Sequence, residues 1–405
     1  MSSSTLDSFC NFQKGFAFKS SDYVDKGTKI VRVSDLNAYD ITLNSCISIS
    51  DASSYETYRL KEDDVIIATV GSWETNPMSV VGKVVRVQSE ASNSLLNQNA
   101  VRVRAKDTSD QKFLFYLLKN RTFKEYIIST ARGSASQASI TQESIKNFNF
   151  NLPDKPYREK TVEILTALDR KIAANNKRQM ILEFIVLSIY KSWFNDFNYP
   201  NATGELENGI PKGWERSNVF ERVIEVKEKN IDHNDYPVLS VVKEGEFKPS
   251  EDVFTKQVYS KSTSNYKIVK RNQVGYNPAR ANIGSIAMLM DFEVGLVSPI
   301  YIVFEMKSSI TPTFFYYYMK QPIFLENIKH HAIGTTRQNL SFEAFKMFEM
   351  IVPPKPLQER FEEIAKPIEQ KIAKLKEENS LLSEIRDALL PKLMSGELPV
   401  EVGNV

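Results

Sequence analysis

Two stretches of the chain place apolar residues at alternating intervals of three and four, the spacing of one helix face. The first runs Leu165, Leu168, Ile172, Asn175, Gln179, Leu182, Val186, Ile189 and Trp193. The second runs Ala365, Ile368, Ile372, Leu375, Asn379, Leu382, Arg386, Leu389 and Leu393. Each predicts a long helix with a heptad seam that packs along its length. A helix of about 40 residues would be roughly 60 Å long, at 1.5 Å per residue, which suits a spacer. Outside these stretches, short runs rich in β-branched residues at 65–70, 80–87, 101–104 and 300–304 read as strands. The expected class is α/β (α+β).

Polar residues interrupt both seams near their middles: Asn175 and Gln179 in one, Asn379 in the other. A buried Asn can fix register, so the two helices are expected to pair with each other. Two other readings stay open. Asn175, Gln179 and Arg386 would also mark places where a seam opens to water, and either helix would also pair with one from another subunit.

The helical segments belong to a longer internal repeat. Residues 148–160 lie without a gap on 348–360, and Lys171, Ile172 and Ala173 recur as Lys371, Ile372 and Ala373. The globular parts repeat as well: Lys112, Phe123 and Ile127 match Thr313, Phe324 and Ile328, and residues 133–141 match 334–341 with one residue of slip. A duplicated unit of this length must be read before local structure. It divides the chain into a globular domain at 1–152, a helix at 153–204, a second globular domain at 205–352 and a C-terminal helix at 353–405. Both helices open on prolines, Pro153 with Pro156 and Pro353 with Pro356, which suit a first helical turn. Pro367 is expected to kink the second helix or delay its start. Pro391 with Gly396 should end it, as Asn198, Pro200 and Gly204 end the first. The first halves of the two globular domains align poorly, as they should if one scaffold carries two different sets of loops.

The chain has 405 residues, 42% of them hydrophobic, with 24 Phe and 17 Tyr, enough for two cores. No apolar run is long enough for a membrane span and no signal peptide is visible, so a cytoplasmic location is expected. The formal net charge is +2 and is spread evenly, so a phosphate-binding face must come from local clustering or from a partner. Two cysteines, Cys10 and Cys46, encode neither a disulfide framework nor a metal cluster. His233, His330 and His331 lack metal-ligand spacing, and nucleotide-cradling Gly motifs are absent. Asp169 and Lys171 form an Asp-x-Lys fragment, but they sit on a predicted helix, and such fragments recur by chance in a charged chain.

Polar, basic and aromatic residues do gather in loops after strands, at 71–76 and 276–282. Arginine can bond guanine bidentately, asparagine can do the same for adenine, and Trp or Tyr can pack against sugar or base. The candidates in the second domain are Tyr276, Asn277, Arg280, Asn282, Arg337 and Gln338. Arg280 and Arg337 lead, because each lies in a Gly, Asn and Ser/Thr-rich stretch whose backbone amides suit phosphates. In the first domain the candidates are Lys14, Arg59, Trp73, Arg132 and Gln137. For any single one, a loop residue satisfying its own backbone is the simpler account.

The order of these features resembles a known family. Val352, Pro353, Lys355 and Pro356 at a helix entry, the Gly334-Thr-Thr-Arg-Gln-Asn-Leu-Ser341 turn, Pro211-Lys-Gly-Trp214 and Val297-Ser-Pro-Ile-Tyr301 are similar to the DNA specificity subunit of Type I restriction-modification systems. The resemblance spans nearly the whole chain, although each motif is short. It implies two target recognition domains, each reading half of a bipartite, gapped double-stranded DNA site. It also implies that the helices pair as an antiparallel coiled-coil spacer through Leu168, Ile172, Asn175, Leu182 and Ile189 with Ile368, Ile372, Leu375, Asn379, Leu382 and Leu389. The implied partners are two methyltransferase subunits docked on the helices and a restriction/translocase subunit. S-adenosylmethionine, ATP and Mg would then be bound by those partners, and this chain would be non-catalytic, with no cofactor of its own. The first domain departs from the pattern in lacking a counterpart of 211–214, which points to a shortened or rearranged start. A helical scaffold without base reading, or a metal-dependent nuclease, remain the alternative readings of the residues.

Overall fold

The computed structural model describes residues 2–37, 40–73, 80–134, 137–253, 263–332 and 339–400. The chain divides into two compact units, Met1–Ala174 with Asn379–Val405, and Asn175–Glu378. The repeat implies four consecutive segments, whereas the compact units cut both long helices near their middles, so each unit contains half of each helix. The physical reason is the seam: an amphipathic helix is stable only where its apolar face is covered, and each half is covered within its own unit.

The first unit is built on an antiparallel sheet with strand order Cys10–Lys14, Ala100–Ala105, Val65–Ala68 and Val84–Arg86. Val65–Ala68 is buried along its whole length, as a run of β-branched residues covered on both faces should be. Ala100–Ala105 alternates instead: Val101 and Val103 are buried while Arg102 and Arg104 are half-buried. Helices Gln111–Lys119 and Arg121–Ser129 cover one face with Phe113, Leu114, Leu118, Phe123 and Ile127. Each such side chain contributes about 1.5–3 kcal/mol on burial. A second sheet, with order Tyr23–Val24, Ile47–Ile49, Thr28–Val31 and Leu95–Leu96, closes with a parallel pair between the last two.

The second unit repeats the first sheet strand for strand: Val223–Val226, Ile302–Met306, Val274–Tyr276 and Ile286–Met288, again antiparallel. The entrances repeat too. Ser2–Thr5 pairs with Asn149–Leu152 as Glu215–Asn218 pairs with Glu349–Val352. Thr5 and Asn218 then cap the same short helical turn, and Leu6 and Val219 donate to the carbonyls of Phe148 and Phe348 at 3.0 and 2.9 Å. Ser2–Thr5 therefore takes the place of Glu215–Asn218.

The long helices are Lys155–Tyr190 and Lys355–Ser395. Every seam position is buried or half-buried. Asn175, Ile372 and Leu375 are buried, while Leu168, Ile172, Leu182, Ile189, Ile368, Asn379, Leu382 and Leu389 are half-buried. Within the first unit, Tyr157 donates to the carbonyl of Leu393 at 3.1 Å and Arg386 meets Asp169 at 3.1 Å, so the two helix halves run antiparallel. Within the second, Asn175 donates to Glu378 at 2.8 Å while the Tyr190 and Phe361 rings lie 5.7 Å apart, the same sense. Asn175 and Arg386 are thus enclosed rather than openings to water.

Pro367 does not delay the second helix and Pro391 does not end it. The second helix runs through Pro367 without a break and through Pro391 to Ser395. Both prolines are exposed, as are Glu363 and Asp387 four residues earlier, so the carbonyls that lose their partners can be hydrated. Gly396, at φ 74°, is the actual stop. The first helix ends in a π-helical turn, Lys191–Asn195, before Asn198 is reached.

Candidate nucleic-acid interface

The strand Val65–Ala68 decides where the first unit presents its loops. It continues through Thr69 into Val70–Gly71, which pairs with Ala138–Ser139, itself paired with Arg132–Gly133. The amide of Ile140 donates to the carbonyl of Thr69 at 2.9 Å and so pins this ribbon to the end of the sheet. Trp73 follows, half-buried, its indole Nε1 donating to the carbonyl of Ser134 at 2.8 Å. Arg132 and Gln137 are exposed on the same ribbon. Lys14, also exposed, pairs with Val101 at this end of the sheet. The structure therefore brings Lys14, Trp73, Arg132 and Gln137 to one end.

At the opposite end of that sheet the carboxylates are each paired with a cation. Asp64 is buried against Arg104, Asp110 is clamped by Arg158 at 2.8 and 2.9 Å, Asp63 faces Arg86 at 3.7 Å, and Asp107 meets Lys155 at 3.2 Å. Hydrogen bonds from the Ser109 hydroxyl and then its amide, with the ammonium of Lys155, hold the Asp107 carboxyl down to about 2. Phosphates are attracted to cations that are not spent on carboxylates, so of these two ends the one carrying Lys14 and Arg132 is the better suited to a polyanion among the described residues.

In the second unit the equivalent strand, Val274–Tyr276, leads into the 3-10 turn Pro278–Ile283. Leu340 donates to the carbonyl of Pro278 at 3.0 Å, the counterpart of the Ile140 to Thr69 bond. Asn277 is committed locally, because its side-chain oxygen caps the turn by accepting from Ala279 at 3.1 Å. Gly284 closes the turn at φ 100°, and a Cβ there would stand 2.2 Å from the Lys243 carbonyl oxygen. Arg280 is exposed at the crown and Asn282 is half-buried.

Other candidates fall elsewhere. Tyr276 is wholly buried, its ring against Phe304 and Phe345, and burial pushes its phenol well above the ordinary range, so it is a core residue and not a stacking platform. Arg59 is spent on Glu56 and on the Asn93 carbonyl at 2.9 Å, and the Glu56 carboxylate raises its pKa. Arg337 and Gln338 lie outside the described residues. Burial pushes the thiols of Cys10 and Cys46 up to about 12 and about 11. Among the described residues, no group of three or more His, Cys, Asp or Glu is placed to hold a metal ion, and no helix is long and apolar enough to cross a membrane.

Sequence reasoning missed the exposed apolar face of the first long helix. Met180 and Phe184 are 70% and 71% exposed, with Ile181 and Ile185 beside them. Leu381 and Ile385, two positions of the same repeat, are exposed on the second helix. The signal was present as apolar residues outside the seam register, at spacings of one and four.

A duplicated sheet with loops issuing from the same strand end, joined by paired long helices, defines a two-module recognition protein. Comparison with known proteins agrees. The Type I restriction modification DNA specificity domain family matches residues 1–183 and 218–384, and the chain belongs to that family, carrying two copies of the domain. The MjaIX specificity subunit of a Type I restriction enzyme from Methanocaldococcus jannaschii is 28% identical over 327 residues, covering 75% of this chain and 73% of the relative. The HindI specificity subunit of Haemophilus influenzae is 25% identical over 367 residues, covering 71% and 77%. The fold is shared with the crystal structure of a Type I restriction-modification S subunit from M. genitalium, at a TM-score of 0.57 and 15% identity, covering 99% of this chain and 96% of that one.

Proposed function

We infer that the chain is the sequence-reading subunit of a Type I restriction-modification complex, each compact unit reading one half of a bipartite, gapped double-stranded DNA target. One observation carries this reading. The same sheet, with the same strand order, sends a loop from the same strand end in both units, and an equivalent backbone bond holds each loop, yet the loops differ. One presents Trp73, Arg132 and Gln137, the other Asn277 and Arg280. A shared scaffold with unlike readers is what recognition of two unlike half-sites requires. The exposed apolar faces at Met180, Ile181 and Phe184 and at Leu381 and Ile385 support docking of two methyltransferase subunits. In this reading a restriction/translocase subunit joins the complex, and S-adenosylmethionine, ATP and Mg belong to the partners.

The test is co-expression with the adjacent methyltransferase genes, followed by genome-wide mapping of methylated adenines. A bipartite gapped motif that disappears when this chain is omitted supports the reading. A soluble complex that yields no such motif would return weight to a helical scaffold.

A further inference from the structure

The cationic end of the first unit's sheet holds a fourth segment beyond the three already described. Asn97, Gln98 and Asn99 form the turn between strands Leu95–Leu96 and Ala100–Ala105. Gly15 places this turn beside Lys14: its amide donates to the Ala100 carbonyl at 3.0 Å, and a Cβ at Gly15 would lie 2.0 Å from the Asn97 carbonyl oxygen, so only glycine permits the approach. On the other side, Thr69 donates to the Asn99 carbonyl at 2.8 Å, and the Thr69 carbonyl in turn accepts from Ile140. One chain of backbone hydrogen bonds therefore lines up Lys14, the 97–99 turn, the loop leading to Trp73 and the ribbon of Arg132 and Gln137.

The side chains of this turn are uncommitted. Asn99 is exposed, and its carbonyl, not its side chain, does the structural work. Gln98 is half-buried, with its amide oxygen enclosed and lacking a hydrogen-bond partner, so swinging the amide outward breaks no bond and relieves an unsatisfied acceptor. The described residues of the four aligned segments include the cations Lys14 and Arg132 and no carboxylate. The corresponding turn of the second unit, 298–300, carries Ser298, Pro299 and an Ile300 that is 61% exposed. The same place in the scaffold therefore holds carboxamides in one unit and an aliphatic side chain in the other.

We propose that the Gln98 and Asn99 side chains are specificity-determining residues of the first unit, reading an adenine edge in one half-site while Lys14 and Arg132 hold the flanking phosphates. This rests on the DNA-reading function above. A carboxamide is the side chain whose donor and acceptor match adenine N7 and N6 in the major groove, and two adjacent ones flanked by cations are placed to use that match.

The experiment uses the full methyltransferase complex with the wild-type chain, Gln98→Ala/Asn99→Ala, Lys14→Ala and Ile300→Ala, reading binding to DNA permuted at each target position together with the methylated motif. The double variant should lose selectivity roughly tenfold or more at an A·T position of one half-site, with the other half-site and the melting temperature unchanged. Lys14→Ala should weaken all sequences alike and lower the salt dependence by about one ion. Ile300→Ala should touch the other half-site alone. Unchanged selectivity of the double variant, or relaxation confined to a G·C position, overturns the assignment. A wild-type complex that shows no bipartite motif fails earlier, and that result counts against the underlying function instead.

Discussion

Arg386 reaches Asp169 at 3.1 Å inside the first unit, and Asp169 also accepts from the Tyr116 hydroxyl at 2.6 Å. Arg386 sits on the apolar seam of the second long helix, and its counterpart on the first helix is the wholly buried Val186. The charge pair therefore belongs to one unit only. A guanidinium enclosed on an apolar seam depends on its carboxylate partner, so the two must be kept or replaced together. It also burdens its neighbourhood: burial first, and then Arg386, push the ammonium of Lys119 down to about 8. Replacing Arg386 by Leu alone strands Asp169 and should cost roughly 3 kcal/mol in urea unfolding, whereas Leu at both positions should recover most of that loss. If the double variant is no better than the single one, the ion pair does not govern the packing.

The position equivalent to Asp169 in the second unit is Glu369, which has no arginine to meet. One of its carboxylate oxygens is buried without a hydrogen-bond partner, and burial raises its pKa above the ordinary value. A folded pKa above the unfolded one means that folding favours the protonated acid; that contribution is complete in acid and is lost as pH rises through the folded pKa. Glu369→Gln should therefore leave the melting temperature nearly unchanged at about pH 4 and raise it at about pH 8. An equal shift at both would assign the effect to packing.

How far the chain could be read from its sequence follows from which signals were periodic. The heptad positions, from Leu165 to Trp193 and from Ala365 to Leu393, are a repeated one-dimensional pattern, and they lie on the covered faces of the two helices. The strand 65–68 stood out because Val65, Ile66 and Ile67 are β-branched and continuous. The sheet order did not, since it depends on pairings such as Val65 with Val103, which no local pattern encodes. Single contacts fared worst. Tyr276 and Arg132 look alike in sequence as polar-tipped residues near a loop, and only the packed core shows that one faces Phe304 and the other faces solvent. Pro367 does not interrupt the helix, because a local rule about backbone hydrogen bonds is outweighed by the long packed seam around it.

Asn277 and Arg280 share a turn but should fail differently. Asn277→Ala removes the side-chain acceptor for the Ala279 amide and should cost about 1 kcal/mol of stability, with loss of one half-site as a consequence of a loosened loop. Arg280→Ala removes an exposed guanidinium from the crown of an intact turn, so the melting curve should not move while recognition of that half-site weakens by about 1–3 kcal/mol. The pair of thermal and binding measurements separates them. Equal loss at both half-sites from Arg280→Ala would remove it from the reader set.

The apolar residues left outside the seams give the sharpest test of assembly. Phe184 at 71% exposure and Leu381 at 57% lie on helix halves belonging to different compact units, so under the proposed function they would belong to two separate docking faces. Because both side chains are mostly exposed, an Asp at either position should change the unfolding free energy by no more than about 0.5 kcal/mol. Burying a carboxylate in an apolar helix interface, by contrast, is strongly unfavourable. Phe184→Asp should accordingly yield a complex carrying one methyltransferase subunit, Leu381→Asp a complex carrying the other, and the double variant a chain that binds none. Native mass spectrometry of the co-expressed proteins reads these stoichiometries directly. Retention of both subunits by the double variant would move the docking surface off the helices and onto the globular parts of the units.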